Sequence, residues 1–244
     1  MQKLLWDLHT HTRFSHGAGS IEDNVQAALS FGMSKIGIAD HGPGHKFYGI
    51  RADEIANMRK AVFESQAAHP EIEVLLGVEA NIVNPSGELD VCRQLQKSFD
   101  YIIAGYHYGY WGRHPLQATW VMLGGYLFEA IGAKSTAAKN YNTDLVLAAL
   151  YNNPIKILSH PGAKAEFDVA KIAEACEKTG TWMEINNKHG ALTTEDIKIA
   201  SKYDVKFIIS SDAHKPCDVG SCEKSLARAK ESGLDLSRIV NLRP

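Results

Sequence analysis

The chain has 244 residues and a formal net charge of -2, with 45% hydrophobic and 22% charged residues. This balance is ordinary for a single globular domain of the size of one α/β barrel, and it does not point to a protein that binds nucleic acid. Four scattered cysteines without a CxxC pair, an N-terminus without a signal-peptide pattern and the lack of a long apolar run predict a cytoplasmic protein with no membrane partner.

Seven short runs rich in Ile, Val, Leu and aromatic residues predict β-strands. Several are apolar without alternation, which is typical of strands buried on both faces of a parallel sheet. In chain order they are residues 3–8, 35–39, 73–78, 101–105, 155–158, 181–185 and 205–209. Helical patterns lie between them, at residues 20–32, 52–68, 143–150, 168–178, 194–203 and 221–232. Ser20, Thr143 and Asp168 are the predicted N-caps.

The alternation of strand and helix predicts a distorted (βα)7 barrel, similar to a TIM barrel, in a single domain that spans residues 1–244. Residues 108–142 fit no βα unit, because they are rich in aromatic residues and glycine. We interpret this segment as an aromatic insertion. It is either a packed insertion or oligomer contact, or a lid over the site, since loops on one barrel face carry function.

Six of the seven predicted strands end in a residue of the type that binds metals. The candidates at these ends and in the loop after the first strand are His9, His11, His16, His41, Glu79, His107, His160, Asp212 and His214. The carboxyl ends of parallel barrel strands meet at one face, where barrel active sites form. Imidazoles and carboxylates gathered there suit Zn, Mn or Fe. At three to four protein ligands per ion, they predict about two to three divalent metal ions.

The order of these motifs resembles the PHP (polymerase and histidinol phosphatase) family, and most of all its small stand-alone bacterial phosphatases with a trinuclear metal site. The matching stretches are residues 7–12 (DLHTHT), 39–42 (ADHG), 77–81 (GVEAN), 103–107 (IAGYH), 158–162 (LSHPG), 184–187 (EINN) and 211–214 (SDAH). They cover nearly the whole chain. The resemblance implies the same distorted seven-stranded barrel.

The resemblance also implies how the ligands are shared. One ion would take His9, His11, Glu79 and Asp212, a second Glu79, His107 and His160, and a third His16, His41 and His214. We therefore predict a metal-dependent phosphoesterase that hydrolyses small phosphate monoesters by attack of a metal-bridging hydroxide. The predicted catalytic residues are His9, His11, Glu79 and Asp212.

Other polar residues near these strand ends are assigned to the substrate or to the surroundings of the ligands. Arg13, His45, Arg51 and Lys188 are predicted to bind the substrate, and His189 is a further candidate. Asp7 and Asp40 either orient the imidazole ligands or act as structural hydrogen-bond acceptors, and the sequence does not decide between these roles. Asn186 is predicted to form a polar wall of the site, whereas His69 and His114 are predicted to be ordinary surface residues.

Three alternatives remain open at this stage. The alternatives to the predicted phosphoesterase are a histidinol-phosphate phosphatase, a PHP-type nuclease, and a metal-binding regulatory module without turnover. The compact length favours a broader phosphatase over the first, the lack of a basic stripe disfavours the second, and the intact ligand set disfavours the third. The expected partner is a small phosphorylated substrate, and a homo-oligomer is compatible with the sequence.

Overall fold

The computed structural model describes residues 2–107 and 136–242, which form a nearly closed barrel of seven parallel strands. The order of strands in the sheet follows their order in the chain. They are β1 (Trp6–Thr10), β2 (Lys35–Ile38), β3 (Glu73–Asn81), β4 (Tyr101–Gly105), β5 (Ile157–Leu158), β6 (Trp182–Asn186) and β7 (Phe207–Ser210). The distorted (βα)7 barrel that the sequence predicts is therefore confirmed.

Helices connect the strands on the outside of the barrel. They are α1 (Ile21–Ser30), α2 (Ile55–Ala68), α3 (Arg93–Gln96), α4 (Thr136–Asn152), α5 (Val169–Thr179), α6 (Thr194–Ala200) and α7 (Glu223–Glu231). Ser20 caps α1 in a capping box with Asp23, and Asp168 caps α5, as predicted. Among the helices in the described parts of the chain, none combines the length and the apolarity that a membrane span needs.

Two predicted helix starts are wrong. Thr143 does not cap a helix: it lies inside α4, where its Oγ1 donates a hydrogen bond to the carbonyl oxygen of Lys139 at 2.7 Å. Helix α4 begins at Thr136, within the predicted insertion, and residues 108–135 of that insertion lie outside the described residues. A 3₁₀ turn (Ala52–Glu54) precedes α2.

The interior of the barrel is apolar below the strand ends. It is filled by a buried cluster of Leu8, Ala39, Ile103, Ile157 and Ile208. The ring of Tyr101 enters this layer and donates a hydrogen bond from its hydroxyl to the carbonyl oxygen of Leu8 at 2.8 Å. Gly37 and Gly77 make room for this side chain, because a Cβ at Gly37 would lie 2.0 Å from its hydroxyl oxygen and a Cβ at Gly77 would lie 2.3 Å from a ring carbon. The lower barrel is thus a packed core.

The gap between the first and last strands is closed in two places. At the carboxyl end, the N–H of His11 donates to the carbonyl oxygen of Ala213 at 2.8 Å. Further down, the side chain of Asn241 lies between the strands. Its Nδ2 donates to the carbonyl oxygens of Trp6 at 2.8 Å and Ile209 at 2.6 Å, and its Oδ1 accepts from the N–H of Ile209 at 3.1 Å. This amide supplies pairing that an eighth strand would otherwise provide.

Candidate metal centre

All of the predicted metal ligands lie together at the carboxyl end of the barrel. Three overlapping groups each have ligand atoms within 4.8 Å of one another: His11, His16, His41 and His214; His9, His11 and Asp212; and His41, Glu79 and His107. Most of these side chains are buried, and His16 and His214 are closer to the solvent. Strands far apart in the sequence thus bring imidazoles and carboxylates into one pocket.

The carboxylate of Glu79, at the end of β3, is the centre of the cluster. Its Oε1 lies near three Nε2 atoms, at 2.8 Å from His160, 3.2 Å from His107 and 3.3 Å from His9. Its Oε2 lies 3.1 Å from His41 Nδ1 and 3.6 Å from His11 Nε2. Each oxygen therefore faces a different set of imidazoles, which is the arrangement that a carboxylate bridging two cations requires.

Asp212, just after β7, is the second carboxylate of the centre. Its Oδ1 lies 3.3 Å from both His11 Nε2 and His214 Nδ1, and 3.9 Å from His9 Nε2. His16 completes this side, because its ring centroid lies 4.2 Å from that of His214 and 4.9 Å from that of His41. His16, His41 and His214, which the family resemblance implies as the ligands of a third ion, thus lie together.

The cluster fits divalent cations because buried ring nitrogens are left without partners. His9 Nε2, both ring nitrogens of His11, and His41 Nδ1 are buried and have no hydrogen-bond partner among the described residues. A buried polar atom in this state is costly, and a bound cation removes the cost. The donors are imidazole nitrogens and carboxylate oxygens, a set that suits Zn, Mn or Fe. The residues at the barrel mouth can hold metal.

The charges of the centre are strongly coupled. Burial by itself lowers the pKa of His9, but the carboxylates of Glu184, Glu79 and Asp212 raise it well above its usual value. Burial likewise opposes ionisation of Glu79, yet His9, His107 and His41 hold its pKa well below the ordinary range. The carboxylate at the centre is therefore ionised, which is the form that binds a cation.

His16 and His214, the two candidate ligands nearest the solvent, have lowered pKa values, unlike His9. Burial, together with the neighbouring charges of His11 and Lys188, lowers the pKa of His16 to about 4 and that of His214 to about 3. Both imidazoles are neutral at pH 7. Their nitrogen lone pairs are thus available to a metal without loss of a proton.

Glu184, in the middle of β6, contacts two candidate ligands, and the sequence analysis gave it no role. Its Oε1 lies 2.7 Å from His9 Nδ1, and its Oε2 accepts hydrogen bonds from the N–H of His160 at 2.6 Å and from Asn186 Nδ2 at 2.9 Å. Glu184 therefore holds His9 and His160 in place from the side away from the pocket. The available signal was a glutamate inside an otherwise apolar strand, at a position where alternation points the side chain into the barrel.

Asp7 and Asp40 act mainly on the backbone. Asp7 accepts hydrogen bonds from the N–H groups of His9 and Gly220, at 3.2 and 3.1 Å. Asp40 accepts from the N–H and the hydroxyl of Thr12, at 2.7 and 2.5 Å, and lies 4.0 Å from His11 Nδ1. Of the two roles left open, the contacts therefore favour structural acceptors that anchor the segments carrying the ligands.

Two ligands sit on unusual backbone. His160 has φ of 27° and Asp212 has φ of 54°, the two positive values at non-glycine positions in residues 2–107 and 136–242. Residues other than glycine adopt this region at a cost of order 1–3 kcal/mol, and such strain concentrates at functional sites. At both positions the chain turns at a strand end so that the side chain faces the pocket.

The predicted substrate-binding residues lie at different distances from the centre. Lys188 Nζ is 2.8 Å from His214 Nδ1 and 3.8 Å from Asp212 Oδ1. His45 is buried, and its ring stacks on Tyr48 at 3.5 Å. Arg51 is exposed and forms an ion pair with Asp53 at 2.7 Å.

Arg13 is also exposed. Together with hydrogen bonds from Ser20, which have the larger effect, its charge lowers the pKa of Asp23 at the start of α1. For Arg13, His45, Arg51 and Lys188 alike, contact with substrate stays a prediction. His69 is predicted from the sequence to be an ordinary surface residue, but only 18% of its side chain is exposed and its Nε2 lies 2.7 Å from Glu22 Oε1; His114 lies outside the described residues.

Two polar residues that follow Glu184 also reach Asp212. Asn186 Nδ2 donates to Asp212 Oδ2 at 3.2 Å, consistent with its predicted place in the wall of the site. His189 Nε2 lies 3.5 Å from the same oxygen. Tyr48, which the sequence analysis did not consider, packs against His16 with ring centroids 4.3 Å apart.

Comparison with known proteins gives consistent matches. Residues 7–190 match the PHP domain family. A protein of Thermoanaerobacter sp. (strain X514) named a probable phosphatase is 28% identical over 98% of this chain and 91% of its own length. The "Probable phosphatase YcdX" of Shigella flexneri is 29% identical over 98% of this chain and 90% of its own length.

A solved structure shares the fold. It is the histidinol phosphate phosphatase of Lactococcus lactis subsp. lactis, crystallised with zinc, L-histidinol and phosphate. It superposes with a TM-score of 0.61 over 94% of each chain, at 13% sequence identity. At this identity the likeness concerns the barrel alone.

Proposed function

This chain belongs to the PHP domain family, and from that premise we infer that it is a metal-dependent phosphatase acting on small phosphate monoesters. The observation that carries the inference is the carboxylate of Glu79, which lies within 3.6 Å of nitrogens of five histidines at the mouth of the barrel. The names of the relatives from Thermoanaerobacter and Shigella support the same chemistry.

The proposed cofactor is a set of about two to three divalent ions, of Zn, Mn or Fe, since one catalytic ion takes about three protein ligands. His9, His11, Glu79, His107, His160 and Asp212 would hold the inner ions, and His16, His41 and His214 the outer one. When bound, such ions supply positive charge for the phosphate oxygens and lower the pKa of a water molecule.

The side chains around the ions prepare the site. Glu184 fixes the ring of His9 through Nδ1, so that Nε2 faces the pocket. Asn186 holds Asp212 from the side. The ammonium group of Lys188 lies at the rim, 2.8 Å from His214 Nδ1 and 3.8 Å from Asp212 Oδ1, and for this reason we assign it to a phosphate oxygen of the substrate.

The proposal also covers the cellular location, the domain organisation and the partner of the protein. The cysteines in the described residues are free, which supports a cytoplasmic location. We propose one domain that includes residues 108–142, and a small phosphorylated molecule as the partner. Formation of a homo-oligomer is left to solution measurements.

The test combines metal analysis with a phosphoester panel. The wild type, His9→Ala and the control His69→Ala, whose histidine pairs with Glu22 and not with the metal centre, are stripped with a chelator and reloaded with Zn, Mn or Fe. Each is assayed on sugar phosphates, nucleoside monophosphates, histidinol phosphate and single-stranded DNA. We expect monoester hydrolysis in the wild type and the control, and its loss in His9→Ala and after chelation.

The panel separates the alternatives. Turnover confined to histidinol phosphate would narrow the substrate to that compound, and turnover of DNA alone would make the protein a nuclease. A fully metallated wild type that hydrolyses none of these would refute the proposal.

A further inference from the structure

We propose that Arg228, on α7 outside the barrel, is a positioning residue that holds residues 186–190 so that Lys188 meets the substrate phosphate. The inference rests on the proposed function of the metal centre. It concerns a residue that touches neither the candidate ligands nor the expected position of the substrate, and it acts through the loop that follows β6.

The loop delivers two groups to the rim of the centre. Lys188 Nζ lies 2.8 Å from His214 Nδ1, and His189 Nε2 lies 3.5 Å from Asp212 Oδ2. Both side chains remain partly exposed, at 44% for Lys188 and 35% for His189. They are therefore accessible to a molecule that approaches the metals from solvent.

A tight turn sets the direction of these side chains. Asn186 Oδ1 accepts hydrogen bonds from the N–H groups of Lys188 at 2.9 Å and His189 at 2.7 Å. Its Nδ2 group is fixed at the same time by Glu184 and Asp212. The side chain of Asn186 thus ties the backbone of the loop to the carboxylates of the centre.

The beginning of α7 holds the next residue of the loop. Asn187 Oδ1 accepts hydrogen bonds from the N–H groups of Lys224 at 2.9 Å and Ser225 at 3.1 Å. Because this contact fixes α7 against the loop, one turn further along the helix Arg228 arrives directly beneath residues 186–190.

The guanidinium of Arg228 links the two ends of the turn. Its Nη2 donates to the carbonyl oxygen of Asn186 and, at 3.4 Å, to that of His189. Its Nε is buried without a hydrogen-bond partner among the described residues. One nitrogen therefore serves both carbonyls, and the planar guanidinium fixes the directions of its two N–H bonds, which the ammonium group of a lysine on a flexible stem does not.

These contacts have a defined consequence for binding. Lys188 has a long flexible side chain, and its contact with phosphate is worth most when the backbone that carries it is already ordered. Without Arg228 the loop has more conformations to lose, so substrate affinity should fall while the metals and their ligands stay in place.

The experiment compares Arg228→Met and Arg228→Lys with Lys188→Met and with a matched control. The control is Arg238→Met, because Arg238 also donates to backbone carbonyls, those of Ser201, Tyr203 and Val205, but before β7 at the other end of the barrel. Metal content, steady-state kinetics and the dissociation constant of inorganic phosphate, by calorimetry, are measured for each.

We expect Arg228→Met to raise KM and the phosphate dissociation constant about ten-fold, with kcat within about three-fold and metal content unchanged. Arg228→Lys should recover part of this loss. In the double variant with Lys188→Met, the effect of Arg228→Met should nearly vanish, since both act on one contact. Arg238→Met should change thermal stability only.

Two results would overturn the inference. One is an Arg228→Met variant whose phosphate affinity matches that of Arg238→Met. The other is a double variant whose fold-change in the phosphate dissociation constant equals the product of the fold-changes of Arg228→Met and Lys188→Met. Failure of the proposed function looks different. In that case the metallated wild type turns over no phosphoester, whereas the calorimetric comparison of phosphate binding still decides the role of Arg228.

Discussion

The carboxylate of Glu184 supports the imidazole of His9 from the side opposite the pocket: Oε1 lies 2.7 Å from Nδ1, while Nε2 lies 3.3 Å from Glu79. In the tautomer with a proton on Nδ1, the N–H donates to Glu184 and leaves the Nε2 lone pair for a cation. Partners of this kind fix ring orientation and raise the basicity of the ligand.

Replacing Glu184 by Gln should weaken metal binding. The amide keeps the shape but removes the charge that favours a proton on His9 Nδ1, and such changes lower metal affinity about 10- to 100-fold. Competition with a chromophoric chelator measures this change. Glu195→Gln, at an exposed position on α6, is the control. Equal affinities in the two variants would show that Glu184 does not act on the metal site.

Glu79→Gln should remove at least one ion per chain and nearly all phosphatase activity. An amide offers one neutral oxygen in place of two charged ones, so it cannot join two sets of imidazoles. We expect a loss in kcat of at least about 10³-fold, measured together with metal content by mass spectrometry. Full metal content combined with near-normal turnover would contradict the bridging role.

The pKa of His214, lowered to about 3, gives the metal-free protein a pH dependence of known sign. Between about pH 3 and the ordinary histidine value near 6.5, the unfolded chain binds a proton at this position and the folded chain does not. The free energy of unfolding of the metal-free protein therefore decreases as the pH falls below about 6.5.

His214→Gln removes this titration. We expect the melting temperature of chelator-treated wild type, relative to that of the variant, to decrease between pH 6.5 and pH 4.5. Differential scanning fluorimetry in a series of buffers provides the measurement. A difference that stays constant over this range would show that His214 does not carry the lowered pKa.

Gly37→Ala should destabilise the barrel through Tyr101. The new Cβ would lie 2.0 Å from the hydroxyl oxygen of Tyr101, and overpacking of this kind costs about 1–3 kcal/mol. In a Tyr101→Phe background that oxygen is gone, so the same substitution should cost less. Urea unfolding of the four proteins gives the coupling energy, and strictly additive effects would rule out the proposed clash.

The sequence predicts most of the ligand set because it follows from one rule, that parallel strands end at the same face of a barrel. His107 and Asp212 are identified by their position after an apolar run, without knowledge of their contacts. Glu184 illustrates the limit of this rule. It lies inside a strand, and its role is visible only once His9, from the other end of the chain, is placed beside it.

Helix boundaries show a second limit. Asp168 is predicted correctly because its own side chain accepts from N–H groups of the next turn, which is a local interaction. Thr143 has the same kind of side chain but lies within a longer helix, where it bonds back to Lys139. A local signal cannot distinguish these cases, because packing against the barrel decides where the helix begins.

The contact between Asn241 and Trp6 joins residues 235 positions apart. During synthesis, Asp212 can therefore meet His9 only after β7 has been made, and the closing contact of Asn241 forms only after the segment that follows β7. The complete ligand set is accordingly present only after this part of the chain has been translated, whereas the group of His41, Glu79 and His107 is made earlier. Assembly governed by such distant pairings is expected to be slow, so that supply of metal during refolding, and not only afterwards, should influence the yield of active protein.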